Sequence, residues 1–295
     1  MVKVEDAIIL AGGLGTRMLP ASLFIPKETM PLIDTPILNH LIWEAAKAGV
    51  STVHLVVSKE KYEFLERFLA DGSIFSPDVR VDLPRDVLAL GMDGIEIVPH
   101  IQNSPGGVAD AISEALPAIN GPFLVLLGDT VMSGKKLRNG LPTPDDASTA
   151  SMELVSRFNR DGLPCVGVCS VETEDLSNYG VVEFAGNSIV GITEKPNLSD
   201  APSKYVLCGR YLLPENTAEI LEMFPTSEFG ELQSIVLLNH LIENIGLSAV
   251  KLDDWNMYDS GDPLTWLKSQ IDHGLRRSDI SENLEKWILK RLSGL

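Results

Sequence analysis

The chain has 295 residues, of which 44% are hydrophobic and 22% are charged, and this balance excludes an intrinsically disordered protein. Its 24 lysines and arginines stand against 41 aspartates and glutamates, and the resulting net charge of -17 argues against nucleic acid as a partner. The apolar runs are much shorter than the roughly 20 residues of a membrane span, and the N-terminus does not resemble a signal peptide.

In the first half of the chain, short apolar strands alternate with helical stretches. The apolar run at 7–11 predicts a strand that leads into glycines, and Thr35, followed by proline, predicts the cap of a helix. Further strands are predicted at 52–57 and 123–127, with a helix at 59–69 between them. This order predicts right-handed crossovers and an α/β fold with a Rossmann-like, mostly parallel mixed sheet flanked by helices.

The second half of the chain carries shorter strands between loops rich in proline, aspartate and asparagine. Strands are predicted at 166–171, 180–184, 188–193 and 205–213. Cys165 and Cys169 fall in an apolar stretch, and the chain has no Cys-x-x-Cys pair, so we expect buried free thiols and a cytoplasmic protein. A C-terminal helix within 276–295 has one apolar face, which packs either on the body of the protein or on another subunit.

A glycine-rich turn follows the first strand and leads into an arginine. Its residues are Ala11, Gly12, Gly13, Gly15, Thr16 and Arg17. Glycines at such a place let backbone N–H groups approach a polyanion closely, and an arginine can fork onto phosphate oxygens. Two well-known glycine motifs do not match, because Met18 stands where a dinucleotide fold has its third glycine, and no P-loop Gly-Lys-Ser/Thr follows. A plain tight turn is therefore the alternative.

A second cation, Lys27, follows in a loop flanked by prolines, and two cations from one ordered loop suit a triphosphate. The segments Gly-Gly-x-Gly-Thr-Arg-x-x-Pro at 12–20 and Pro-Lys-Glu-x-x-Pro-Leu at 26–32 resemble the nucleotide-sugar pyrophosphorylases. These enzymes are the sugar-1-phosphate nucleotidylyltransferases. The similarity extends along nearly the whole chain, over residues 5–275.

The resemblance implies an enzyme that joins a nucleoside triphosphate to a hexose 1-phosphate and releases pyrophosphate. It implies Mg²⁺ as the cofactor and a homodimer or homotetramer as the assembly, with no nucleic acid or membrane as partner. We expect one domain at 1–275, with a nucleotide-binding half at 1–140 and a sugar-binding α+β half at 141–275 on the same sheet.

Two branches of the family resemble different segments of this chain. Segments 25–28 and 209–212 resemble the UTP–glucose-1-phosphate uridylyltransferases, whereas 71–73, 102–111 and 230–232 resemble the glucose-1-phosphate thymidylyltransferases. Asp110 stands where the uridylyltransferases carry histidine, and 78–94 matches neither branch. We expect UTP and glucose 1-phosphate as substrates and UDP-glucose as product, and dTTP or another hexose 1-phosphate stays open as the alternative.

The resemblance also assigns the metal ligands. Asp129 follows the predicted strand at 123–127, and Asp259 lies in a turn before a helix predicted at 263–273. In the family, aspartates at these two places hold Mg²⁺. Each has a structural alternative, since Asp129 could cap a turn or helix and Asp259 could cap the following helix. Asp262 is the better candidate for that cap, because a proline follows it.

The sugar and base sites are assigned in the same way. Glu194 and Lys195 resemble the family's sugar motif, in which the glutamate accepts hexose hydroxyls and the lysine neutralises the sugar phosphate. An exposed charge pair is the alternative. Gly180 matches a glycine that faces a hexose hydroxyl. Gln102 and Gly107 match the positions that read the pyrimidine edge, and the alternative for Gln102 is an amide in a surface loop.

The proposed enzyme needs five charged residues to meet in one place: Arg17, Lys27, Asp129, Lys195 and Asp259. A catalytically silent nucleotide-sugar sensor is the lesser alternative. Such a protein would be expected to lose its metal carboxylates or its phosphate-binding cations, and this chain retains all of them. A nicotinamide-dependent oxidoreductase is disfavoured by the missing third glycine.

Overall fold

A computed structural model describes residues 2–71, 93–104, 106–134, 140–186, 188–224 and 234–294. Most of 78–94, and the thymidylyltransferase-like segment 230–232, lie outside these residues, as do 72–73 of the segment 71–73 and position 105 of the segment 102–111. Within the part of the chain that is described, no helix is long and apolar enough to cross a membrane. The three cysteines are buried free thiols, as predicted.

The strands and helices alternate along the first half of the chain, as the apolar pattern predicts. In chain order the strands are β1 (Asp6–Leu10), β2 (Pro31–Leu32), β3 (Thr35–Pro36), β4 (Thr52–Ser58), β5 (Glu96–Gln102), β6 (Phe123–Leu127), β7 (Thr130–Gly134), β8 (Cys165–Ser170), β9 (Gly180–Ala185), β10 (Ser188–Glu194), β11 (Tyr205–Leu213), β12 (Ser248–Lys251) and β13 (Trp255–Asp259). The α-helices are α1 (Ile37–Lys47), α2 (Lys59–Asp71), α3 (Val108–Ser113), α4 (Ala150–Asp161), α5 (Thr217–Glu222), α6 (Ser234–Asn244), α7 (Pro263–Leu275) and α8 (Ser281–Leu292).

Nine strands form one mixed sheet in the order β5-β4-β1-β6-β11-β8-β12-β10-β9. The four strands from β5 to β6 pair in parallel, as do β8 and β12, and the other neighbours pair antiparallel. The α/β class and the mixed sheet are therefore confirmed. The expectation of a mostly parallel sheet holds only for the strands from β5 to β6, because the strands of the second half pair mainly antiparallel. Strands that are joined by short turns, such as β9 and β10, must run in opposite directions.

The central strands are buried on both faces, which explains why their apolar residues form continuous runs. Ile9 of β1 and Leu55 of β4 belong to one hydrophobic cluster, which α1 covers. Their neighbours Ile8 and Val56 point to the opposite face and belong to a second cluster, to which α3 and α6 contribute. The sheet thus separates two apolar layers, and its strand ends are left for polar chemistry.

The predicted cap of the first helix is wrong. Thr35 and Pro36 form β3, in which Thr35 pairs with Leu32 of β2, and α1 begins only at Ile37. Because the backbone of Thr35 pairs with that of Leu32, Thr35 belongs to a strand and does not cap the helix. The cap of α7 is confirmed, because the Asp262 carboxylate accepts hydrogen bonds from the backbone N–H groups of Leu264 and Thr265 at 3.0 Å each.

The C-terminal helix α8 packs on the body of the protein through α7. A Cβ atom built on Gly274 of α7 would lie only 2.7 Å from Leu284 Cδ2 and 3.7 Å from Ile280 Cδ1, so the helices are in close contact. Trp287 and Leu292, farther along α8, are 55% and 63% exposed. Of the two alternatives for this helix, packing on the body is observed for its first turns.

Candidate active site

The glycine-rich turn and Asp129 emerge from adjacent parallel strands at the same edge of the sheet. Leu10 at the end of β1 lies opposite Leu127 at the end of β6, and Gly128 N–H donates to Leu10 O at 2.9 Å. Ligands of open α/β sheets bind outside the carboxyl ends of such strands. The topology therefore brings the two most informative sequence motifs together.

Gly15 is the position of the turn that most clearly requires glycine, because its φ of 64° disfavours any residue with a side chain. A Cβ atom on Gly12 would lie 2.7 Å from Gln102 Oε1, so a side chain there would displace the glutamine amide. Ser22 Oγ donates to Gly15 O at 2.8 Å and holds this corner. Thr16 then begins a single 3₁₀ turn that carries Arg17. The turn is a shaped backbone surface rather than a simple chain reversal.

The two cations from this part of the chain each lie beside one carboxylate. Lys27 Nζ donates to Asp129 Oδ2 at 2.5 Å. Arg17 and Asp259 both lie close to Gly261, since a Cβ atom built there would be 2.7 Å from Arg17 Nη2 and 2.9 Å from Asp259 Oδ1. Two cations and two carboxylates are therefore close together at this edge of the sheet.

The opposite charges of neighbouring groups shift the pKa values of Lys27 and Asp129. Burial by itself lowers the pKa of Lys27, but Asp129 and Glu28 outweigh it, so the pKa is raised. Burial likewise works against ionisation of Asp129, but Lys27 outweighs it, so the pKa of Asp129 is lowered. Both partners are therefore held in their charged forms.

The antiparallel pair of β7 and β13 brings the two carboxylates together. Asp259, the last residue of β13, lies opposite Thr130, the residue after Asp129. Ser260 strengthens this join, because its N–H and hydroxyl both donate to Asp129 O, at 2.9 and 2.8 Å. Burial raises the pKa of Asp259, and the negative charge of Asp129 raises it further. Two carboxylates that repel each other in this way are suited to share a cation.

The donor set fits Mg²⁺ better than a metal that needs many protein ligands. Among the described residues, no group of three or more histidine, cysteine, aspartate and glutamate side chains is arranged to hold a metal ion. Mg²⁺ is commonly bound by one or two carboxylates, and substrate phosphates and water complete its shell. Asp129 and Asp259 are two carboxylates that could hold this ion.

A cavity of about 810 Å³ lies beside these residues. Its lining includes Arg17, Asp129, Lys195 and Asp259, which come from both halves of the chain. The fifth predicted residue, Lys27, joins this group through its bond to Asp129. The structure thus brings together the charged residues that the sequence analysis expected to meet.

Glu194 and Lys195 lie at the exposed rim of the site. Lys195 Nζ is 3.8 Å from Glu194 Oε1, and their side chains are 64% and 53% exposed. Gly180 lies opposite Glu194 in the β9–β10 pair, where a Cβ atom would come within 3.0 Å of Glu194 Oε2. Lys195 has a φ of 44°, and its N–H donates to Tyr179 O at 3.0 Å. Lys195 lines the cavity, whereas Glu194 and Gly180 do not. The exposure of Glu194 and Lys195 also fits the alternative of an exposed charge pair.

Gln102 and Gly107 belong to a separate group around Gly12. Gln102 is only 8% exposed at the end of β5, so it is not an amide in a surface loop. Its Nε2 donates to Asp110 Oδ2 at 2.7 Å, which leaves Oε1 next to Gly12. Gly107 has a φ of 97° and precedes α3, which carries Asp110. A carboxylate accepts hydrogen bonds only, and it therefore fixes the orientation of the glutamine amide.

Two buried ion pairs around the site were not predicted from the sequence. Lys61 of α2 contacts both carboxylate oxygens of Glu28, at 2.9 and 2.8 Å. Arg210 of β11 contacts Glu44 of α1 through Nε and Nη2, at 2.8 and 2.9 Å. Glu28 and Arg210 stand inside the motifs that carry the family resemblance, and their place in these motifs was the only sign in the sequence that they matter to the site. Their burial and their partners could not be read from the motifs.

Comparisons with known proteins find similarity over nearly the whole chain. A family model described as "Nucleotidyl transferase" matches residues 6–267. A UTP–glucose-1-phosphate uridylyltransferase of Streptococcus pyogenes is 30% identical over 299 residues, which cover 98% of this chain and 95% of that protein.

Solved structures give the same picture of the fold. A UTP-bound UGPase from Acinetobacter baumannii is 25% identical with a TM-score of 0.79, covering 97% of this chain and 99% of that one. A putative glucose-1-phosphate thymidylyltransferase from Bacillus anthracis is 22% identical with a TM-score of 0.73, covering 92% and 95%. At that identity the second likeness concerns the fold alone.

Proposed function

Because this chain belongs to the nucleotidyl transferase family, we propose that it transfers a uridylyl group from UTP to glucose 1-phosphate, giving UDP-glucose and pyrophosphate. The observation that carries this proposal is the meeting of Arg17, Asp129, Lys195 and Asp259 at one cavity. A cavity that is lined by cations from both halves of the chain and by two carboxylates suits a reaction between two phosphate anions. The identity with the uridylyltransferase of Streptococcus pyogenes supports UTP and glucose as the substrates.

In the proposed reaction, a phosphate oxygen of the sugar phosphate attacks the α-phosphorus of UTP. A new P–O bond forms at the α-phosphorus, and the bond from the α-phosphorus to the oxygen that bridges the α- and β-phosphates breaks. Pyrophosphate leaves with that oxygen. Since both reactants are anions, the protein must neutralise their charge and align them. Arg17 and Lys27 serve the triphosphate, and Lys195 serves the sugar phosphate.

The glycine-rich turn is proposed to receive the phosphates of the nucleotide through its backbone. Its contributors are Ala11, Gly12, Gly13, Gly15 and Thr16. Asp129 and Asp259 would hold Mg²⁺, which neutralises phosphate charge when bound. Lys27 keeps the Asp129 carboxylate ionised and able to bind a cation, as the lowered pKa of Asp129 indicates. Gly180 and Glu194 are proposed to face the hexose hydroxyls.

Gln102 is proposed to read the pyrimidine. Its Nε2 donates one of its two N–H groups to Asp110, which orients the amide, and Oε1 is the atom that would accept a hydrogen bond from the N3–H of uracil or thymine. Cytosine has no hydrogen at N3, so this acceptor disfavours it. The Gln102–Asp110 contact lies in the thymidylyltransferase-like segment, and it supports dTTP as a second candidate. A pocket separates bases that differ by one methyl group by only about 1–3 kcal/mol.

Pyrophosphate release tests the function directly. The protein, with Mg²⁺ and glucose 1-phosphate, is offered UTP, dTTP, ATP, GTP and CTP separately. We expect strong release with UTP, and equal release with dTTP would place the enzyme between the two branches. Silence with all five, repeated with galactose and N-acetylglucosamine 1-phosphates, would overturn the proposal and favour a nucleotide-sugar sensor.

The proposal includes an assembly and a division of labour within the chain. A homodimer or homotetramer follows from the family, and light scattering of the purified protein measures it. The nucleotide-binding half at 1–140 and the sugar-binding half at 141–275 share the nine-stranded sheet, which is consistent with one domain.

Replacing Lys195 by alanine is expected to raise the KM for glucose 1-phosphate about tenfold or more, because one charged hydrogen bond to phosphate is lost. The KM for UTP should change much less. Lys195 is exposed, so the fold should be unaffected. Lys204→Ala, at another exposed lysine, is the matched control. The opposite pattern of KM values would move Lys195 to the nucleotide side.

Replacing Gln102 by alanine is expected to lower the preference for UTP over CTP by about tenfold, because the acceptor for N3–H is removed. The measurement is the ratio of kcat/KM for the two nucleotides. Asn103→Ala removes an exposed amide next to it in sequence and should leave the ratio unchanged. Preserved discrimination in the Gln102 variant would contradict the base-reading role.

A further inference from the structure

Lys61 lies behind the glycine-rich turn, although it belongs to α2 and to no motif of the sequence analysis. Its ammonium donates to the backbone oxygens of Ala11 and Gly13 at 2.6 Å each. It also contacts both carboxylate oxygens of Glu28, at 2.9 and 2.8 Å. The side chains of Lys61 and Glu28 are only 12% and 2% exposed. An ammonium has three N–H donors, and four protein oxygens already surround this one.

The two carbonyl contacts determine which way the backbone of the turn faces. In a trans peptide unit, the carbonyl oxygen and the amide hydrogen point in opposite directions. The Ala11 carbonyl shares its peptide unit with the N–H of Gly12, and the Gly13 carbonyl shares its unit with the N–H of Leu14. Because both carbonyls point to Lys61, these two N–H groups point away from it. By holding these two carbonyls, Lys61 thus directs the two backbone N–H groups to the opposite side of the turn.

Glu28 joins this arrangement to the strand end that carries Asp129. A Cβ atom on Gly128 would lie 3.1 Å from Glu28 Cγ and 2.3 Å from Leu10 O, so the three segments are tightly packed. Lys27, the residue before Glu28, pairs with Asp129 itself. Neighbouring residues of one loop therefore make two different contacts: Glu28 pairs with the lysine that holds the turn, and Lys27 pairs with Asp129.

We propose that Lys61 and Glu28 form a positioning pair that holds the glycine-rich turn with its N–H groups directed toward the triphosphate of the substrate. Lys61 orients the turn, and Glu28 neutralises the charge that Lys61 brings into the interior. Neither side chain touches the phosphates, which distinguishes the pair from Arg17 and Lys27. The inference rests on the proposed function for the identity of the ligand.

The test replaces the pair and measures nucleotide binding separately from turnover. Lys61→Met alone leaves Glu28 buried without its partner, which is expected to destabilise the fold. The decisive variant is therefore Lys61→Met with Glu28→Gln, which removes both charges and keeps similar shapes. Lys59→Met, at an exposed lysine that begins the same helix, is the matched control. Calorimetric titration with UTP gives the Kd, pyrophosphate release gives kcat and both KM values, and circular dichroism verifies folding.

The double variant is expected to raise the Kd and the KM for UTP about tenfold or more, because small displacements of positioning groups have effects of that size. The KM for glucose 1-phosphate should stay within about twofold, since the sugar site is built from other elements, and Lys59→Met should match the wild type. A folded double variant with the wild-type Kd for UTP would overturn the inference. So would a lower kcat with both KM values unchanged.

The two proposals fail in distinguishable ways. If the wild type binds UTP without turnover, the proposed function is wrong, and the Kd of the double variant still decides the role of Lys61 and Glu28. If turnover is normal and the double variant binds UTP as the wild type does, only the positioning role is wrong. A wild type that binds no UTP contradicts both.

Discussion

Replacing Asp129 by asparagine is expected to lower kcat by at least about 10²-fold while the protein stays folded, because one aimed electrostatic contact is worth about that much. Asparagine keeps the size of the side chain but removes its charge. Lys27 then loses its anion, and the carboxylate pair with Asp259 is reduced to a single acid. A higher Mg²⁺ concentration for half-maximal activity should accompany the loss of rate.

The control for this prediction is Asp254→Asn, which removes an exposed acid directly before β13 and should leave kcat unchanged. Initial rates of pyrophosphate release across a Mg²⁺ titration provide both quantities. A nearly wild-type kcat for Asp129→Asn would remove this residue from the proposed metal site. An unchanged Mg²⁺ requirement with a low kcat would indicate that Asp129 acts through Lys27 alone.

Replacing Arg210 by methionine is expected to lower the free energy of unfolding by about 3–5 kcal/mol, because it leaves Glu44 charged and buried without its partner. Arg210 and Glu44 are 0% and 1% exposed. Arg210 Nη2 also donates to Thr130 O at 2.8 Å, and Ser151 Oγ donates to Glu44 Oε1 at 2.5 Å. The substitution therefore breaks a network that joins α1, α4 and β11 to the residue after Asp129.

Urea unfolding of paired variants distinguishes this cost from an ordinary loss of charge. Lys286→Met breaks the exposed Lys286–Glu282 pair on α8 and should change stability by less than about 1 kcal/mol. Arg210→Met with Glu44→Leu removes both buried charges and should recover much of the lost stability, since apolar replacement of a whole buried pair is often neutral. If Arg210→Met cost as little as Lys286→Met, the buried pair would not have the predicted importance.

The local pattern of the sequence was sufficient for most strands. The apolar run at 123–127 and the segment at 205–213 are β6 and β11 without change, and the strand predicted at 7–11 is shifted by one residue to Asp6–Leu10. Continuous apolar runs of this length arise when both faces of a strand are buried, and that information is local. Thr35 failed as a cap because its pairing with Leu32 in a small sheet competes with the helix, and a capping pattern does not contain that pairing.

The sequence by itself also determined the family and the candidate charges at the site, because glycines, cations and acids at a fixed spacing are visible in the chain. Only the tertiary structure decided which of them meet. Lys27 bonds to Asp129 across 102 positions, and Arg210 to Glu44 across 166. Lys61 was invisible for the same reason, since an ordinary helical lysine becomes a partner of Glu28 only when α2 folds behind the turn. Burial and long-range pairing depend on strand order and packing, and a local pattern carries neither.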